Sequence, residues 1–155
     1  MATADLIERM LAEPHASSAS AIDALHTLLD DSTVEETSAR LGIAEAAELL
    51  GQSPHTLRYY EREGLVRPSR NSSGYREYSA PHLRRLVFLI RMRVSGMTMS
   101  DLRHYVQLVE RGVETMPERR QMMIDQRDRI SRQLEELTLA LATTDYKIRS
   151  YDGAP

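Results

Sequence analysis

Residues 53–68 read SPHTLRYYEREGLVRP. Ser53 is a helix N-cap by residue type. Pro54 suits the first helical position, because its missing N–H would have had no intrahelical partner, and Gly64 supplies a left-handed stop. The stretch therefore reads as a short helix over 54–63. On such a helix, residues three and four apart share a face. Leu57 and Tyr60 form one stripe, which Leu65 extends, and this is the core side. His55, Arg58, Tyr59 and Arg62 form the other. That second stripe is a row of donors beginning at the helix N-terminus, the part that enters a major groove when a recognition helix docks. Arginine pairs with guanine through two parallel hydrogen bonds, and hydroxyls such as those of Ser53, Thr56 and Tyr59 hold phosphates.

Outward from this helix the pattern continues on both sides. Upstream, IAEAAELLG at 43–51 places Ile43, Ala46, Ala47 and Leu50 at helical spacing and stops at Gly51. Helix, tight turn, helix is the spacing of a helix-turn-helix. Downstream, LVRPSRNSSGYREYS at 65–79 sets two extended runs around the turn-forming NSSG, and Pro68 confines the first run to an edge. This predicts a two-stranded wing. Ser79 opens a third helix with Leu83, Leu86, Val87 and Ile90 on one face, ending near Gly96. Thr98 and Asp101 have the spacing of a capping box, and Met97 and Leu102 that of a hydrophobic staple. The fourth helix then carries Tyr105, Val106 and Val109 to a stop at Gly112.

From 113 onward one long helix is expected. Met116, Met123, Ile130, Leu137, Thr144 and Tyr151 recur every seven residues, with Leu134, Leu141 and Ile148 at the alternate step. Arg120 and Arg127 interrupt the start of the seam, so its firm part, Ile130, Leu134, Leu137, Leu141, Thr144 and Ile148, is the dimerisation surface. A lone helix of this length buries little of its stripe against a small domain, which favours a homodimer; folding back onto N-terminal helices of the same chain is the alternative. Residues 1–40 hold two weak amphipathic patterns around EPHASSAS and read as an acidic extension, partly helical or disordered. Three parts result: 1–40 the extension, 41–112 the winged helix-turn-helix, and 113–155 the dimerisation helix with a short tail.

Charge follows the same partition. The chain of 155 residues has a formal net charge of −3. By segment it is −6 over 1–40, +4 over 41–111, where all eleven cations are arginine, and −1 over 112–155. An arginine-only basic segment suits phosphate and guanine edges. Zero cysteines exclude disulfides, thiolate metal sites and thiol-based sensing. The five histidines, at 15, 26, 55, 82 and 104, include no i,i+4 pair, and no nucleophile motif or Gly-rich phosphate loop occurs. No catalytic, cofactor or metal site is expected, and the chain is read as a non-enzyme. No apolar run reaches the length of a membrane helix and the first thirty residues are acidic, so a cytoplasmic protein with no membrane partner is expected.

Taken together, 41 to about 111 resembles the DNA-binding domain of the MerR family of bacterial transcription regulators, through TLRYYEREGLVRP, GYREYS and SGMTMSDL. The resemblance implies a mainly α fold in which a winged helix-turn-helix domain precedes a long helix that forms an antiparallel dimerisation coiled coil. It implies a recognition helix over 54–63 and backbone contacts from the wing through Arg70, Tyr75 and Arg76, with Tyr78 packed beneath. It also implies binding of a pseudo-palindromic promoter site in double-stranded DNA as a homodimer, distortion of that site, and RNA polymerase as a promoter partner. The end DYKIRSYDG looks like the short-tailed, aldehyde-type branch, whose thiol chemistry a chain without cysteine cannot use; any small-molecule effector is unknown. Ala44 stands where Gly or Ser usually caps the first helix. A reading of another class is a ligand-binding regulatory module with an apolar pocket formed by Met92, Met97, Met99, Met116, Met122 and Met123, near the junction with the long helix.

Overall fold

A computed structural model describes residues 40–153. The readings made for residues 1–39 lie outside the described residues. The elements run α1 (Ile43–Leu49), α2 (Pro54–Arg62), β1 (Ser69–Arg70), β2 (Arg76–Glu77), α3 (Ala80–Val94), α4 (Met99–Arg111), one 3-10 turn (Val113–Thr115) and α5 (Met116–Asp152). This is the mainly helical, winged helix-turn-helix arrangement followed by a long helix. Two compact units divide between Met92 and Arg93.

In the first unit, both short helices end in the same way. At α2, Leu65 N–H donates to Tyr60 O and Gly64 N–H to Glu61 O, each at 3.0 Å, with Gly64 at φ +73°. This double closure satisfies the last carbonyls and demands a left-handed residue, which glycine adopts without steric cost. It also brings Leu65 against Tyr60, and both are buried. At α1, Gln52 N–H to Ala47 O (2.9 Å) and Gly51 N–H to Glu48 O (3.1 Å) repeat the pattern. The core of the unit is Ala46, Ala47, Leu57, Tyr60, Leu65, Val66, Tyr78, Leu86 and Leu89.

Two expectations are corrected here. The N-cap of α1 is Gly42, whose N–H donates to the Glu45 carboxylate at 3.3 Å, so Ala44 is the second helical residue and caps nothing. In α3 the fully buried pair is Leu86 and Leu89, while Leu83, Val87 and Ile90 are half-buried. The apolar stripe of α3 is wide, and the residue at its centre is decided by packing.

Leu41 and Tyr78 exchange hydrogen bonds (3.0 and 2.8 Å) in an isolated antiparallel bridge, which ties the segment before α1 to the strand leaving the wing. β1 and β2 pair antiparallel with Ser69 opposite Glu77 and Arg70 opposite Arg76. In the second unit α4 packs on α5. Met97, Leu102, Val106 and Leu108 form its apolar core, with Thr115 and Gln126 as buried polar members. Thr98 Oγ1 accepts from Asp101 N–H at 3.1 Å, and Met97 and Leu102 are both buried, as the staple spacing predicts. No helix among the described residues is long and apolar enough to cross a membrane.

Candidate nucleic-acid interface

The reading helix is built from its cap. Ser53 Oγ accepts from Thr56 N–H at 3.1 Å and lies 3.0 Å from Thr56 Oγ1, so both hydroxyls serve the helix start. An orphan donor is satisfied and the first turn is held rigid. Leu57 and Tyr60 turn inward; His55, Arg58, Tyr59 and Arg62 turn outward to solvent. Arg62 lies over the Tyr59 ring, 5.9 Å from its centroid, which restrains both side chains in a shared orientation. Arg58 has no hydrogen-bond or ion-pair partner among the described residues.

The wing is shaped by one asparagine. Asn71 Oδ1 accepts from Ser73 N–H (2.9 Å) and Tyr75 N–H (3.0 Å), while Gly74 N–H closes on Asn71 O (2.9 Å) with φ +81°. An asparagine side chain folding over its own turn is the usual device at such a position. Tyr75 stands at the tip, 72% exposed. Tyr78 is fully buried beneath, as expected, and its hydroxyl has no partner among the described residues. Burial, and then the nearby Glu61 carboxylate, push its pKa up, partly opposed by Arg76, Arg58 and Arg70.

The wing arginines behave differently from those of α2. Arg70 Nη2 pairs with Glu61 Oε1 at 3.3 Å and its Nη1 donates to Gly74 O at 3.2 Å. Arg76 Nε pairs with the other oxygen of Glu61. Glu61 and Asn71 are residues that sequence reading missed. Asn71 was legible as part of a turn signal, but Glu61 carries none, because its partners are nine and fifteen positions away.

In the second unit the seam positions Leu134, Leu137, Leu141 and Ile148 are 53–66% exposed, Thr144 is exposed and Ile130 is half-buried. A shallow cavity of about 550 Å³ is lined by Tyr105, Met116, Pro117, Arg119, Arg120 and Met123. Two of the six methionines expected to form a pocket line it; Met97 is core. No group of three or more metal-ligating side chains occurs among the described residues.

A capped helix with outward-facing arginines, set against a hairpin carrying an exposed tyrosine and two further arginines, defines a winged helix-turn-helix protein of the DNA-reading kind. Residues 41–109 match the family of MerR HTH regulatory proteins. The chain is 33% identical over 113 residues to the HTH-type transcriptional regulator HmrR of Rhizobium leguminosarum bv. viciae, covering 73% of this chain and 88% of that one. It is similar to the crystal structure of HiNmlR, a MerR family regulator lacking the sensor domain, bound to promoter DNA, with a TM-score of 0.70 and 30% identity over 74% of this chain and 91% of the other. A MerR family transcriptional regulator from Listeria monocytogenes superposes with a TM-score of 0.68 and 37% identity, covering 73% and 86%. The chain belongs to the MerR family and is a DNA-binding transcriptional regulator, not an enzyme.

Proposed function

We propose that the protein acts in the cytoplasm as a homodimer that binds a pseudo-palindromic promoter site and distorts it, altering how RNA polymerase engages that promoter. The observation that carries this reading is the exposed stripe of Leu134, Leu137, Leu141 and Ile148 on a helix of 37 residues. Fully burying one such side chain is worth about 1.5–3 kcal/mol, so leaving the whole row in water is costly and a second copy of the stripe removes that cost. The division of labour follows: residues 41–112 bind DNA and residues 113–155 pair in an antiparallel coiled coil.

On the DNA, Arg58 and Arg62 would read base edges while His55, Tyr59 and the hydroxyls of Ser53 and Thr56 sit near the groove entrance. Tyr75, Arg70 and Arg76 would meet the flanking backbone. Bending or untwisting a site costs on the order of 1–6 kcal/mol, which phosphate contacts from two wings offset. The promoter-bound relative supports this mode of action. Selection of duplexes from a random library, followed by footprinting and sedimentation, tests it. A two-fold symmetric footprint and a dimer mass are expected; uniform binding without a footprint, or a monomer at micromolar concentration, overturns it.

The cavity beside Met116 and Met123 favours one second reading, an effector site for an apolar small molecule. A thermal-stability screen against lipophilic amines tests it, since a ligand of the folded state raises the midpoint by mass action.

A further inference from the structure

We propose that Glu61 determines specificity by holding the wing guanidiniums of Arg70 and Arg76 against α2, so that DNA of arbitrary sequence cannot recruit both as phosphate contacts. This rests on α2 and the wing being the DNA-binding face.

The geometry is one carboxylate with two claims on it. Oε1 takes Arg70 from β1 at 3.3 Å, and Oε2 takes Arg76 from β2. The Glu61 and Arg76 side chains are only 22% and 26% exposed, so their attraction is screened less than that of a fully solvated pair; Arg70 is 49% exposed. Within a single face the arginines thus fall into two classes. Arg58 and Arg62 have no carboxylate partner among the described residues, whereas the wing pair shares one carboxylate, which offsets one of its two charges.

That division matters because binding to arbitrary sequence depends chiefly on the number of phosphates neutralised, each adding about 0.9 to the slope of log affinity against log salt. An acid that neutralises wing cations lowers this term and leaves the base-reading arginines untouched. When α2 seats in its cognate groove, the duplex backbone is carried to the wing. Arg70, the more exposed partner, then exchanges Glu61 for a phosphate, while Arg76 stays on Glu61 and keeps the wing registered to the helix. Specificity here comes from a repulsive element set against the wrong partner as well as from attraction to the right one.

The test uses the full chain, a random-sequence duplex pool, and a duplex selected from a random library by the native protein, each titrated over a salt series. In Glu61→Gln the random pool is expected to bind several-fold tighter with a slope steeper by about two, one for each released guanidinium, so that discrimination falls. Adding Arg70→Gln to that variant should remove about half of that increase. A clamp with only a structural role would instead weaken both duplexes and leave the slope unchanged, and that result overturns the inference. Should Glu61→Gln fail to fold, Arg70→Gln alone decides: the selected duplex should lose about one in slope and the random pool none, whereas equal losses on both refute it. If the native protein selects no duplex at all, it is the DNA reading that fails.

Discussion

The side-chain amide of Gln126 donates to the carbonyl of Ser95 at 3.1 Å and to its hydroxyl at 2.9 Å, joining the first part of α5 to the turn that follows α3. Gln126 is 1% exposed, and its own carbonyl accepts from Arg129 Nε at 3.0 Å, so both ends of the amide are satisfied. A second buried fastening lies nearby: Thr115 Oγ1 donates to Leu108 O at 2.6 Å. Breaking the first removes two hydrogen bonds and a buried side chain together, which should be costly. Gln126→Ala is expected to lower stability by about 1–3 kcal/mol, read as a shifted denaturant midpoint at unchanged slope. A midpoint unchanged from the native protein would show that water replaces the amide at no cost.

Arg58 is exposed on α2, one helical turn beyond the Ser53 cap, with no hydrogen-bond or ion-pair partner among the described residues. A guanidinium that reads one base pair per half-site contributes discrimination rather than bulk affinity. Arg58→Ala should weaken binding to a library-selected duplex by roughly 1–3 kcal/mol and relax preference at one position in each half-site. Equal weakening on random DNA would make Arg58 a phosphate contact instead.

The firm seam Ile130, Leu134, Leu137, Leu141, Thr144 and Ile148 is symmetric about its own middle, so the proposed antiparallel pairing sets Ile130 opposite the partner's Ile148 and Leu137 opposite the partner's Leu141. Within one chain Ile130 and Ile148 are about 27 Å apart along a helix, far beyond the roughly 7 Å that a disulfide tolerates between Cα atoms. The chain has no cysteine, so introduced thiols report without background. Combining Ile130→Cys with Ile148→Cys should give a covalent dimer under mild oxidation, and neither single variant should. Cross-linking by Ile148→Cys alone would indicate parallel pairing.

His82 provides a pH dependence. Its Nδ1 accepts from Ser79 N–H at 3.1 Å and lies 3.0 Å from Ser79 Oγ, taking the place of the acidic member of a capping box at the start of α3. Burial lowers its pKa, and the charges of Arg85 and Arg40 add to the effect, against a hydrogen bond with the Arg67 backbone that raises it. The unfolded chain therefore takes up the proton first. Stability should be level at neutral pH and fall as the pH drops through about 6.5. Thermal melts of native protein and His82→Gln across that range should diverge, with the variant flatter.

By itself the sequence determined the local architecture: the Ser53 and Thr98 caps, the Gly51 and Gly64 stops, the NSSG turn, and the outward stripe of His55, Arg58, Tyr59 and Arg62. Each of these is encoded within four or five neighbouring residues, where steric limits on φ and helical spacing leave few choices. Only the tertiary structure decided that Arg70 and Arg76 converge on Glu61, that Leu89 sits at the centre of the α3 core face, and that Gln126 is buried on Ser95. Those outcomes depend on how the wing folds back on α2 and how α5 lies along α4. Charge pairs and buried amides joined across nine to thirty-one residues leave no periodic trace in the chain, because their spacing is set by packing and not by the repeat of a helix or strand.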